Sequence, residues 1–143
     1  MKIKHTADHP FVCTRTVVES EIDGLNHVNN LDYLRWTNWA ARQHSAAVGW
    51  AWQRFRDQGT GFVVREHHIQ YRLPALLGED VSIETWIDSF ERFSSNREYR
   101  IRRSADGRLL AKANTIWAYV DFRSMRLAQI PDEVVRDFGE TTG

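Results

Sequence analysis

At 143 residues the chain has the size of one domain, residues 1–143, and can bury roughly two-thirds of its unfolded surface. A hydrophobic content of 42% with six tryptophans describes a packed globule and excludes a disordered segment. Nineteen basic residues balance nineteen acidic ones, so no electrostatic footprint marks the chain for nucleic acid or an anionic membrane.

The first residues, Met1-Lys2-Ile3-Lys4-His5-Thr6, lack the apolar core of a signal peptide. No apolar run approaches the ~18 residues of a membrane span, so the expected location is the cytoplasm. Phe11 to Glu19 is rich in β-branched residues and predicts a first strand. It holds the single cysteine, Cys13, which reads as a small buried hydrophobe rather than a nucleophile. After the Asp23-Gly24 turn signal a helix is expected from about Asn30 to Val48, with Leu31, Leu34, Ala41 and Val48 on one stripe completed by Asn38 and Ser45. Its alanine pairs make it slim enough to lie close to a sheet. Gly49 is a reasonable stop, and Trp50 to Gln58 suits a second short helix.

The period then changes from 3.6 to 2. Strands are predicted over Phe62 to Tyr71, Val81 to Asp88, Ser95 to Arg103 and Leu109 to Asp121, separated by Pro74, Gly78-Glu79-Asp80 and Ala105-Asp106-Gly107. Ala111, Ala113 and Thr115 share a small-residue face against which a helix could nestle. Pro131, followed by Asp132 and Glu133, opens a short C-terminal helix. A strand, a long helix and four turn-connected strands read as an α+β fold: one antiparallel sheet with the helix on one face.

The chemistry concentrates in Ser20–Leu34, a polar loop that runs into the helix. Free N–H groups at a helix N-terminus and its dipole favour developing negative charge. A carboxylate nearby can serve as nucleophile or general base. "SEIDGLNHVNNLDYLRW" resembles the D-x-D-x-x-G-H-V-N-N-x-x-Y-L signature of the hotdog-fold acyl-thioesterases, a group that includes 4-hydroxybenzoyl-CoA thioesterase-like and plant acyl-carrier-protein enzymes. Glu21 stands for the first acid and Asn26 for the usual glycine. The resemblance runs more loosely from about Phe11 to Phe138, including "FVVREHHIQYRLPALLGEDVSIETWI" and "IPDEV".

That resemblance implies a hotdog fold, an antiparallel sheet wrapped around a long central helix. It implies hydrolysis of an acyl-CoA thioester to a free acid and coenzyme A, with no cofactor beyond the CoA of the substrate and no metal. Asp23 is implied as nucleophile or base and the Asn30 backbone N–H as oxyanion donor. His27 is either catalytic or a brace for the loop. Asn29 and Tyr33 belong to the same motif as substrate-site residues. Alternation puts Glu66 and His68 on one strand face and His67 on the other, so Glu66 or His68 could complete the site across a homodimer or homotetramer interface. Arg92 and Ser94, near a run that includes Arg97, Arg100, Arg102 and Arg103, are candidates for the CoA phosphates. Trp36 and Trp39 could line an acyl pocket. Two alternatives stay open: an acyl-carrier-protein thioesterase, and a non-catalytic acyl-binding protein. No G-x-S-x-G elbow, phosphate-binding glycine loop, dinucleotide fingerprint or metal-ligand spacing is present.

Overall fold

The computed structural model describes residues 4–139. Strands β1 (Phe11–Thr16), β2 (Thr60–Tyr71), β3 (Asp80–Phe90), β4 (Ser94–Arg103) and β5 (Leu109–Asp121) form one sheet in the order β1-β3-β4-β5-β2. Every neighbouring pair is antiparallel. Helices α1 (Asn30–Ala47), α2 (Trp52–Gln58) and α3 (Asp132–Asp137) accompany the sheet among the described residues. The first strand stops three residues earlier than expected. Val17 N–H bonds Glu79 O, and Glu19–Glu21 coils into a single 3-10 turn.

α1 starts where it does because Asn29 caps it: its side-chain oxygen accepts the Leu31 N–H at 2.9 Å. It ends at Gly49, whose φ of +92° suits the left-handed stop. The inner face of the sheet carries Ala111, Ala113 and Thr115, all buried. Ala40 and Ala41 of α1 pack in the same clusters as Ala111 and Ala113. Small residues on both sides let the two backbones approach closely.

The face that α1 buries meets the expected stripe only at Ala41. Leu31 is 57% exposed and Asn38 is exposed. The helix instead buries Tyr33, Trp36, Thr37, Ala40 and His44. Aromatic side chains give the larger apolar burial, and each of these polar-bearing residues finds a partner inside. Trp36 Nε1 donates to Glu21, Thr37 to Leu34 O, and His44 Nδ1 accepts from Arg97. Ala41 and Ser45, members of the expected stripe, line a cavity.

His44 has a consequence for stability. Burial, then the Arg97 guanidinium and His5, push its pKa down to about 2 from the usual 6.5. The unfolded chain gains a proton below pH 6.5 that the folded chain refuses, so stability is lost as pH falls from that value towards 2. At pH 5 the loss is about 2 kcal/mol. Burial lowers His67 in the same direction. Urea denaturation at pH 7.5 and pH 5 should show the loss. His44→Gln, which keeps an acceptor for Arg97, is expected to shrink it, and an unchanged pH dependence in that variant would refute the assignment.

Candidate active site at the start of the long helix

Residues 21–30 form a tight hairpin. Ile22 and Val28 make an antiparallel bridge. Asp23 N–H donates to His27 O at 2.8 Å, and Asn29 N–H to Glu21 O at 2.8 Å. Asp23 Oδ1 accepts the Leu25 N–H at 2.8 Å and the His27 N–H at 3.3 Å. Asp23 is half-buried, and among the described residues no donor meets its second carboxylate oxygen. At the hairpin tip Asn26 has a φ of +64°. That is the left-handed region, where asparagine is tolerated and glycine is at ease, which accounts for asparagine in a position the resembling family fills with glycine. Asn26→Gly should therefore leave stability nearly unchanged, and Asn26→Val should cost about 1–2 kcal/mol in thermal or chemical melts. Equal melts for the two would contradict the strain.

Glu21 fastens the hairpin from below. It is 7% exposed. Its Oε2 accepts from Arg15 at 2.6 Å and from Trp36 Nε1 at 2.7 Å, and its Oε1 accepts the Val18 N–H at 3.0 Å. Burial raises the pKa of this carboxyl, but the Val18, Trp36 and Arg15 contacts together outweigh burial and hold it below the ordinary carboxylate range.

Three donors crowd the start of α1. The Leu31 N–H is taken by the Asn29 cap and the Asp32 N–H by Asn29 O. No acceptor among the described residues meets the Asn30 N–H, which sits in the first turn of a helix whose dipole is positive at that end. The Asn30 carbonyl accepts from Tyr71 Oη at 3.1 Å. Tyr33 lies in the core at 3% exposure, and its hydroxyl accepts the Ala75 N–H at 2.9 Å. Val28 N–H donates to Ala75 O. The β2–β3 connection is thus tied to the hairpin through Ala75, contacts that the sequence did not announce.

The other predicted residues divide. His27 is exposed, and no hydrogen bond engages its ring among the described residues. Glu66 and His68 are exposed on β2, while His67 lies on the helix side, where Nδ1 meets Thr115 Oγ1 at 2.7 Å. The alternation is as expected despite a bulge between Val64 and Glu66. Arg92 and Ser94 sit at the β3–β4 turn. The length of β3, Asp80 to Phe90, separates that turn from the end near Thr16 and Val17, about 33 Å at 3.3 Å per step. One chain therefore does not bring them to the hairpin. Of the arginine run, Arg100 and Arg102 pair with Glu84, and Arg103 with Glu79 and Asp106. Arg97 is the exception: it is 4% exposed on the inner face. Trp36 belongs to the core, whereas Trp39 lines a large cavity.

That cavity, about 700 Å³, lies between the C-terminal half of α1, α2 and the sheet, and no residue of the hairpin lines it. The hairpin is the better candidate for chemistry because it combines an available carboxylate with an unengaged backbone donor, while no carboxylate lines the cavity. Among the described residues no group of three or more His, Cys, Asp or Glu could hold a metal ion. No helix among them is long and apolar enough to cross a membrane.

A five-stranded antiparallel sheet in this order, wrapped on one long helix with the polar hairpin at its N-terminus, is a hotdog fold. The model of the thioesterase-like superfamily matches residues 17–138, and the chain belongs to that family. A 1,4-dihydroxy-2-naphthoyl-CoA thioesterase from Synechocystis superposes with a TM-score of 0.83 at 19% identity, over 90% of this chain and 93% of that one. A Staphylococcus aureus protein solved in complex with CoA gives 0.85 at 17%, over 96% and 84%. By sequence, an acyl-[acyl-carrier-protein] hydrolase of Cuphea viscosissima chloroplasts is 27% identical over 73 residues, 51% of this chain but only 18% of that protein.

Proposed function

We propose that this chain is an acyl-CoA thioesterase. The observation that carries the reading is the pairing, at one helix start, of the half-buried Asp23 carboxylate having a spare oxygen with the unengaged Asn30 N–H. Water adds to the thioester carbon, the carbonyl oxygen becomes an oxyanion held by Asn30 N–H, and the carbon–sulfur bond then breaks to give the acid and the thiol. As general base, Asp23 takes the proton from the water and passes it to the departing sulfur. As nucleophile, it forms a mixed anhydride that water then opens. Asn29 keeps the helix start in place through its cap, and the His27 ring stands free on the same hairpin.

The test is thiol release from a panel of acyl-CoA esters. No release from any of them, with acyl-CoA binding retained, would overturn the reading in favour of a binding protein. The match to the acyl-carrier-protein hydrolase favours a second reading, in which the carrier is a protein. Matched acyl-CoA and acyl-carrier-protein substrates separate the two by kcat/KM. Both readings carry a homo-oligomer. β2 is an edge strand of 12 residues whose outer side is unpaired, with Val64 and Tyr71 exposed along it. A second copy could continue the sheet there. Light scattering should report a dimer or tetramer, and a monomer would refute this part.

A further inference from the structure

The 700 Å³ cavity has an unusual floor. Its walls are mostly apolar, with Trp39, Trp50, Phe62 and Phe138 among them; Arg42 and Arg56 also line it, and no carboxylate does. Yet Arg97, 96% withdrawn from solvent, reaches it. Both hydrogen bonds of Arg97 leave from Nη1, to His44 Nδ1 at 2.9 Å and Thr85 Oγ1 at 3.1 Å. Nε and Nη2 have no acceptor among the described residues, and no acid among them pairs with this guanidinium. Trp117, also on the cavity wall, has a buried Nε1–H with no partner. Tyr99 Oη lies near it without closing a hydrogen bond. Of the polar groups left over, those of Arg97 and Trp117 are donors, and the Tyr99 hydroxyl can donate or accept. A buried charge with spare donors and no counter-ion is costly unless something supplies the acceptors, and a guanidinium fork matches a carboxylate.

We propose that this cavity binds a carboxylate with an apolar body, its acid held by Arg97 and its chain lying among the tryptophans. No hairpin residue lines the cavity, and its first residue on α1, Trp39, is about 14 Å along the helix from Asn30, so the site is distinct from the hairpin, and the proposal holds whether or not the chain hydrolyses thioesters.

The same chemistry is presented by a free acid and by an acyl group with a second acid at its far end. Calorimetric titration with decanoate and with decan-1-ol tests the site directly. The intact chain should bind decanoate about 10- to 100-fold more tightly. Equal affinity for the two, or no binding, would overturn the proposal without any variant. Arg97→Gln should erase the preference and Arg97→Lys should keep part of it. A preference that survives in folded Arg97→Gln would also overturn it. Ala46 is exposed at the cavity mouth. Ala46→Phe should weaken decanoate binding, and unchanged binding would place the ligand elsewhere and refute the site. Thiol release from sebacoyl-CoA against decanoyl-CoA then sorts the sources. A dicarboxylic preference lost in Arg97→Gln assigns the cavity to the acyl end, and matched rates assign it to free acids.

Discussion

Asp23→Asn should lower thiol release by about 10²- to 10⁴-fold, the span a positioned acid or base contributes, while leaving the melting temperature and acyl-CoA affinity close to those of the parent. The structural reason for that separation is specific. Asp23 Oδ1 takes the Leu25 and His27 N–H groups, and an amide oxygen in the same place can take both. The hairpin is therefore kept. What disappears is the charge on the oxygen that has no donor, together with its capacity to accept a proton or attack a carbon. A rate loss carried by kcat rather than KM would mark an interaction made in the transition state. Activity at the parental level would show that the reacting acid lies elsewhere.

The largest effect on stability should come from Glu21→Ala. Removing this side chain strands Trp36 Nε1 inside the core, and it unties Arg15 and the Val18 N–H as well. Breaking a buried charged network in this way costs about 3–5 kcal/mol, although Arg15 is partly solvated, which argues for the lower end. For a chain of this size about 3 kcal/mol should take roughly 10 °C off the melting temperature. Glu21→Gln retains an acceptor and should lose less. Because the folded pKa is depressed below the ordinary 4.5, the ionised carboxylate's contribution is complete above that value and is lost as pH falls through the lower folded one. The difference between parent and Glu21→Ala should therefore narrow in acid. A melt of Glu21→Ala within 1 °C of the parent would show that this carboxylate does not fasten the hairpin.

The elements were legible in the chain to within one to three residues at their ends. β5 runs from Leu109 to Asp121 as expected, and α1 begins at Asn30. Both follow from local signals: period-2 alternation bounded by turn residues, and a capping asparagine before a helical pattern. The buried face of α1 was misread because a stripe of Leu, Ala and Val looks like a core. The helix satisfies buried polar atoms on an adjacent face instead, with partners 15 and 53 residues away for Trp36 and His44. No periodicity reports such partners. The polar loop that runs into the helix was legible because its residue types stand at fixed spacing. Arg97 was read with its neighbours as part of one arginine cluster. Its signal was nonetheless present: it alternates with Ser95, Tyr99 and Ile101, all buried, so its side chain had to point inward.

The hairpin is built almost entirely from bonds between near neighbours in the chain. The widest rung, Glu21 to Asn29, closes a loop of eight residues, and short closures carry little entropic penalty. Among the described residues, hydrogen bonds join residues 23–30 to the distant β2–β3 region at Ala75 and Tyr71, and Val28 alone of the segment packs in the core. A segment so self-contained can open and re-form as a local unit at less than the free energy of global unfolding. The Asp23 carboxylate would then ride on a part of the molecule able to open while the sheet beneath it stays closed.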